Sequence, residues 1–563
     1  MTAATAATAV AAIAVTTKKS EAQSVPTVLV APSPYLEPWV DALPIMPVKA
    51  SVPVTALTPR PKQIAAAGEV GRALHPAWGA FPPKKYYEVT VKEGQHRFHR
   101  DLPEETIWGY DGIFPGPTFK ANYGTPILVR YRNNLPTNAV GPGSPEISVH
   151  LHNLHTPSES DGNPVDYFSS TKSGPGLTKA GAFKDHHYPM VYAGVDAFGG
   201  IGDPNEALGT MWYHDHRVDF TAPNVYRGLC GFFLAFDAID SGNETHQSPA
   251  LGLPSGAYDV PLVLNNVHFD SSGKLFFDQF NNDGFIGDKT AVNGKVQPYF
   301  NVAGRKYRFR FLNGSTARFY DLQLFSDMGF IQGFTYIAND GNLLPYPLLD
   351  RTNLRIAPAE RGEIVIDFSV YPEGTELFLT NRLLHLDGRG PKEGQFVSPP
   401  AQLLKFIVGP QKNDPSRVPD VLRELPPVPT PEEQKLLPVR TFTFNRSGGM
   451  WTVNERLFDN TPHASPQKGS TEIWVLRNEN DGWQHPVHIH FEEGRILSRR
   501  SLSRTVAVPP PAHERGRKDV YVVGELEEVR VLLRFRDFTG KYVMHCHNLT
   551  HEDHGMMMRW DIV

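Results

Sequence analysis

Two cysteines in 563 residues exclude a disulfide scaffold: Cys230 and Cys546 permit one bridge at most, and none if either thiol has another task. Beyond the N-terminal stretch, no run approaches the ~20 consecutive apolar residues of a membrane-spanning helix. Basic blocks are missing too. With 55 Lys and Arg against 60 Asp and Glu, the formal net charge is −5, which leaves no electrostatic footprint for nucleic acid. Methionine is sparse, at 10, and three of these stand together at Met556–Met558. Glycine and proline are plentiful instead. The 48 Gly and 50 Pro are spread along the chain and favour many short strands and turns over long helices. The opening stretch, residues 1–24, is Ala/Thr-rich with its lysines after the apolar run. It is read either as a secretion signal or as a loose tail.

One pattern recurs three times. Gly124-TPILVRYR-Asn133, Gly304-RKYRFRFL-Asn313 and Gly469-STEIWVLR-Asn478 each run from Gly to Asn through alternating apolar and polar residues, the period-2 signature of a half-buried strand. Copies 180 and 165 residues apart are too far for a solenoid and imply three related β-domains. The expected fold class is all-β, with an extended or disordered arm at 1–75 and domains at 76–240, 241–408 and 438–563. A Pro-rich, semi-rigid linker at 409–437 precedes the last. The stretch between His152 and His214, with Asp185, His186 and His187, reads as an insertion loop.

Histidine is concentrated rather than abundant. His150 and His152 lie in SVHLHNLH, and His214 and His216 in MWYHDH. His485, His488 and His490 lie in HPVHIH, and His545, His547 and His551 in HCHNLTHEDHGM. Residues 241–408 hold no such cluster. On a strand, residues i and i+2 share a face, so each H-x-H projects two imidazoles side by side. Four such pairs supply eight nitrogens, enough for several metal ions. In HCH the same alternation turns Cys546 the other way. There Cys546, His485 and His551 form a His₂Cys set with Met556 as a long axial ligand, the ligand list of a blue-copper site. Ligand type favours copper over magnesium, calcium or manganese and leaves zinc open.

On these motifs the chain resembles the three-domain multicopper oxidases, built from cupredoxin-like (Greek-key β-sandwich) domains. The resemblance runs from about residue 80 to the C-terminus. It includes GIFPGPTF, IAPAERGEIVIDF and DFTGKYVMHCHNL, and within the family HEDHGMM and HLHNLHTPSESDG look most like the bilirubin oxidase and bacterial spore-coat laccase branch. The resemblance implies four copper ions. His485, Cys546, His551 and Met556 would bind type 1 copper, and His150 and His488 type 2. His152, His214, His216, His490, His545 and His547 would bind the type 3 pair. It implies one-electron oxidation of a small reducing substrate (a phenol, an aromatic amine or a bilirubin-like tetrapyrrole) coupled to four-electron reduction of O₂ to water. It further implies a monomer that is secreted, periplasmic or coat-associated. A Cu(I) or Fe(II) oxidase is the weaker reading, because the Met-rich segment of many cuprous oxidases is missing. An o-aminophenol oxidase of the phenoxazinone synthase type is another, and a copper protein without turnover is a third.

Oxygen reduction consumes protons, and Asp161 and Glu552 occupy the positions of proton-relay carboxylates in that branch. The plainer readings are a turn cap before Gly162 and a solvated neighbour of His551. Trp483, two residues before His485, matches a substrate-oxidising tryptophan of bilirubin oxidases or else is a core residue. Asp553 is expected to orient a ligand imidazole, and His155 to be a surface or supporting residue. Cys230 is expected to be a buried core thiol.

Overall fold

The structure, a computed structural model, describes residues 31–563. The expected signal or tail at residues 1–24 lies outside the described residues. Among the described residues no helix is long and apolar enough to cross a membrane.

The β-branched and aromatic runs form six sheets, two in each third of the chain. In the first third, a sheet of Lys85–His96, Glu105–Tyr110, Ile127–Asn133 and Phe183–Tyr188 faces one of Phe119–Asn122, Val149–Leu151, Thr210–Asp215 and Cys230–Phe236. Val89 and Val129 from the former pack with Phe119, Tyr213 and Phe233 from the latter. The middle third repeats this with seven- and six-stranded sheets whose Phe309 and Ile364 meet Leu322 and Phe406. The last third has six- and five-stranded sheets, with Trp474 and Val531 against Met544 and Trp560. Each pair of sheets encloses its own apolar core, the cupredoxin-like sandwich.

The three Gly-to-Asn segments occupy the same place. Strands Ile127–Asn133, Lys306–Asn313 and Thr471–Asn478 each have a parallel neighbour on one side and an antiparallel one on the other. The closing asparagine has the same function each time. Its amide donates to two backbone carbonyls, and its oxygen accepts from the backbone N–H two residues on. The repeat is therefore conformational as well as textual.

Two sequence expectations change. The expected arm is extended over residues 31–75 but packed rather than loose, with Leu36, Leu57 and Val70 buried and bridges from Val48 to Thr118 and Val52 to Tyr86. The supposed insertion loop ends in a core strand: Phe183–Tyr188 is buried throughout and pairs with Ile127–Asn133. Its polar letters hid it. Asp185 takes two bonds from Arg130 at 2.7 and 2.8 Å, while His186 and His187 bond the carbonyls of Ser160 and Phe81. The Pro-rich segment after Gln411 is held down where Arg423 grips Asp237 at 2.7 and 2.9 Å.

Candidate metal centre

Four strand ends bring the histidine motifs together. His150 lies opposite His214 in one antiparallel pair, and His488 opposite His545 in another. In every H-x-H the first histidine is inside its strand and the second is the first residue beyond it. All eight rings are buried. Their Nε2 atoms converge in three groups. His150 and His488 are 3.3 Å apart. His152 lies 3.1 Å from His214 and 3.3 Å from His547. His216, His490 and His545 lie within 3.1–3.3 Å of one another. Each motif thus sends its two rings to different groups.

The outer nitrogens explain why the inner ones are free. The Nδ1 atoms of His150, His488 and His214 donate to the carbonyls of Asp161, Asp519 and Asp215 at 2.5, 2.9 and 2.7 Å. His490 Nδ1 donates to the Asp161 carboxylate at 2.8 Å and His152 Nδ1 to the Asp519 carboxylate at 3.2 Å. With Nδ1 as donor, Nε2 carries a lone pair. Burial keeps the rings neutral, lowering His214 to about 3 and holding His150, His152, His216, His488, His490 and His547 well below the ordinary value. Lone pairs facing each other at such distances repel unless cations lie among them, so the donor set fits metal ions.

Behind this cluster, Cys546 turns the opposite way. Its sulfur lies 3.5 Å from His485 Nδ1 and 3.6 Å from His551 Nδ1. His551 donates through Nε2 to the carbonyl of Asp283 at 3.0 Å, leaving Nδ1 as acceptor, and Trp451 stacks on the ring at 3.7 Å. Burial pushes the Cys546 thiol up and His485 down to about 3, so a bound cation is what would make a thiolate favourable here. Met556 is buried, and its backbone carbonyl accepts from Cys546 N at 3.0 Å.

Multicopper oxidase family models match residues 90–184 and 429–563. The chain is 34% identical over 528 residues to a laccase of Bacillus subtilis, covering 85% of this chain and 94% of that protein. The chain belongs to the multicopper oxidase family. It is also 36% identical over 483 residues to a bilirubin oxidase of Albifimbria verrucaria, with 84% and 75% covered. Among solved structures, a laccase from Pediococcus acidilactici superposes with a TM-score of 0.70 at 25% identity over 95% of each chain. The protein is accordingly a copper oxidoreductase that uses O₂ as acceptor, with laccase and bilirubin oxidase as its kin.

The remaining candidates of this multicopper oxidase lie around these donor groups. Asp161 ends the helix Ser158–Asp161 and is buried, its Oδ1 3.7 Å from His150 Nδ1 and its Oδ2 on His490. Gly162 follows in the left-handed region, and a Cβ there would sit 2.1 Å from the Val149 carbonyl, so glycine lets this helix end touch the His150 strand. Glu552 lies 2.8 Å from His545 Nδ1 and 3.3 Å from His216 Nδ1, both out of hydrogen-bond alignment. Trp483 is buried against Trp451 and His551, with the guanidinium groups of Arg389 and Arg446 over its ring at 5.1 and 5.4 Å. His155 pairs with Asp537 at 2.7 Å and joins no donor group. Cys230 faces His214 across the sheet as a core residue, burial pushing its thiol up to about 12.

Asp553 does not orient an imidazole. Its carboxylate accepts from Thr221 N and Ala222 N at 2.8 Å and caps the helix Thr221–Tyr226, which packs beside the short helix Leu549–Asp553 that Asp553 ends. Trp451, stacked on His551, escaped the sequence reading, and so did two residues beside the histidine cluster. Trp212 stacks on His214 at 4.4 Å, and Asp519 holds His152 and His488. Trp212 stands in MWYHDH beside a motif already singled out. Asp519, in RKDVYVV, carries no signal beyond being an acid at the head of an apolar strand.

Proposed function

We propose that the protein is a laccase- or bilirubin oxidase-like enzyme with four copper ions. Cys546, His485, His551 and Met556 would hold the type 1 ion, and His150 and His488 the type 2 ion. His152, His214 and His547, and His216, His490 and His545, hold the type 3 pair. The observation that carries this reading is the division of every H-x-H between two donor groups, with the Cys546 thiol aimed behind them. Copper bound there supplies one-electron oxidation of the substrate and four-electron reduction of O₂ to water. The chain's own residues do the rest. Cys546 makes its donor set covalently continuous with His545 and His547, the shortest path for an electron. Glu552 and Asp161 are the acids that carry protons to the cluster, and Asp161 also fixes His490 and, through its carbonyl, His150. Trp451 and Trp483 pack on His551, and Trp483 is the side chain that would take electrons from the reducing substrate.

The name of one relative, bilirubin oxidase, supports a tetrapyrrole as substrate; phenols, aromatic amines and a monomeric working form are carried over from the motif resemblance. The test is copper content together with O₂ uptake on bilirubin, o-aminophenol, a dimethoxyphenol, Cu(I) and Fe(II). Turnover on one of the organic substrates at about four coppers per chain is expected. A fully loaded protein inert on all five refutes the reading. Cys546→Ser should abolish the blue absorption and the turnover together, and turnover surviving that change refutes the electron path.

A further inference from the structure

The middle third lacks a histidine cluster, yet one of its side chains reaches the centre. Arg361 opens the strand Arg361–Asp367 and is fully buried. Its five N–H donors are all engaged. Nε donates to the Thr210 carbonyl at 3.2 Å. One terminal nitrogen donates to the Ala359 carbonyl at 3.0 Å and Asp519 Oδ1 at 2.7 Å. The other donates to the Asp340 carbonyl and Asp519 Oδ2, both at 2.8 Å. Thr210 begins the strand that carries His214, and Asp519 precedes the strand Val520–Val523 that pairs with His485–Ile489. A single guanidinium therefore ties all three thirds together.

What it fixes matters more than what it joins. Asp519 Oδ2 holds His152 Nδ1 and its carbonyl holds His488 Nδ1, and these two rings stack with centroids 3.9 Å apart at 16°. A lone carboxylate is free to rotate, whereas a two-pronged guanidinium contact fixes its plane. The Lys518–Asp340 pair at 2.7 Å braces the same frame from behind. We propose that Arg361 is a positioning residue for the oxygen-reducing cluster, acting through Asp519 to set the aim of His152 and His488. The inference rests on the ligand assignment above and gives the middle third a part in the chemistry by way of Asp519.

The test compares wild type, Arg361→Lys, Arg361→Gln and Asp519→Asn, with Arg308→Lys as control. Arg308 is an equally buried arginine that grips Asp240 and Glu363 and touches no ring. Each is dialysed against graded copper chelator, then read for total copper, blue absorption and the type 2 paramagnetic signal, with folding followed by circular dichroism. Lysine keeps the charge but not the fork. Arg361→Lys and Asp519→Asn should shed cluster copper at roughly 10-fold lower chelator strength, the scale of losing a partner of a ligating histidine. They should keep the blue absorption per folded chain and show an altered type 2 signal. A double variant combining Arg361→Lys with Asp519→Asn should be no worse than the more affected single one, and Arg308→Lys should shed nothing selectively. Should Arg361→Gln fail to fold, Arg361→Lys and Asp519→Asn decide. The proposal is overturned if both retain cluster copper like wild type, or if both lose blue absorption and cluster copper in step. Wild type that loads no cluster copper overturns the ligand assignment itself, a result distinct from normal wild-type loading with unmoved variants.

Discussion

Asp161 is asked to do two things, and two substitutions separate them. Replacing it with Ala removes the oxygen that accepts from His490 Nδ1 at 2.8 Å but leaves the backbone carbonyl that accepts from His150 at 2.5 Å. A buried N–H stripped of its partner costs about 1–3 kcal/mol. The lost support of a ligating ring weakens metal affinity roughly 10–100-fold, or about 1.4–2.8 kcal/mol. The two estimates agree, so Asp161→Ala should lose copper from the His216–His490–His545 group in chelator titrations while the thiol site stays loaded. Asp161→Asn keeps an acceptor for His490 but cannot carry a proton. It should hold its copper and lose turnover by roughly 10²–10⁴-fold, the usual worth of a positioned acid. The assays are copper per chain against chelator concentration and O₂ uptake on the loaded protein. Wild-type copper retention by Asp161→Ala refutes the positioning argument, and full turnover by Asp161→Asn refutes the proton argument.

Glu552→Gln should likewise retain copper and blue absorption while turnover falls, since its oxygens are not aligned to brace His545 or His216; equal turnover to wild type in O₂ uptake would assign it to packing alone. Asp553→Ala should leave copper content unchanged and lower the unfolding free energy by about 1–3 kcal/mol, because two buried N–H groups lose their acceptor; selective copper loss would contradict the capping role. Burial pushes the Asp240 carboxyl up, but Arg308, Arg310 and Arg423 outweigh it and hold it at about 2 against an ordinary 3.8. A depressed pKa gives stability that is present above the ordinary value and is lost as pH falls from about 4 towards 2, amounting to about 2 kcal/mol. Denaturant unfolding across that range should show this acid loss in wild type and a shallower one in Asp240→Asn, and parallel curves would refute it.

The sandwich fold and the donor set were legible because both obey a period of two. Alternation exposes a half-buried strand to inspection, and in H-x-H and HCH it assigns neighbouring side chains to opposite faces without any knowledge of the partner strand. Support from afar was not legible. Asp519 and Arg361 are separated by 158 residues, and only the packing of one third on another makes them a pair. The strand Phe183–Tyr188 was misread for a related reason. Asp185 is met by Arg130, and His186 and His187 by the carbonyls of Ser160 and Phe81, so local polarity mimicked a loop. Asp553 was misplaced because it lies on the helix Leu549–Asp553, and a period-2 argument stops at the end of its strand.

The grouping of the rings also dictates an order of events in the making of the protein. His152 and His547 meet across 395 residues, and every donor group includes at least one member from His485 onward. A growing chain that has completed its first two thirds possesses no finished group, and the thiol site and two of the three imidazole groups await the final strands. Metal loading must therefore follow synthesis and docking of the C-terminal sheet. Copper content then reports chain completeness: a product cut short before the last motif would lack the Cys546 thiol and remain colourless.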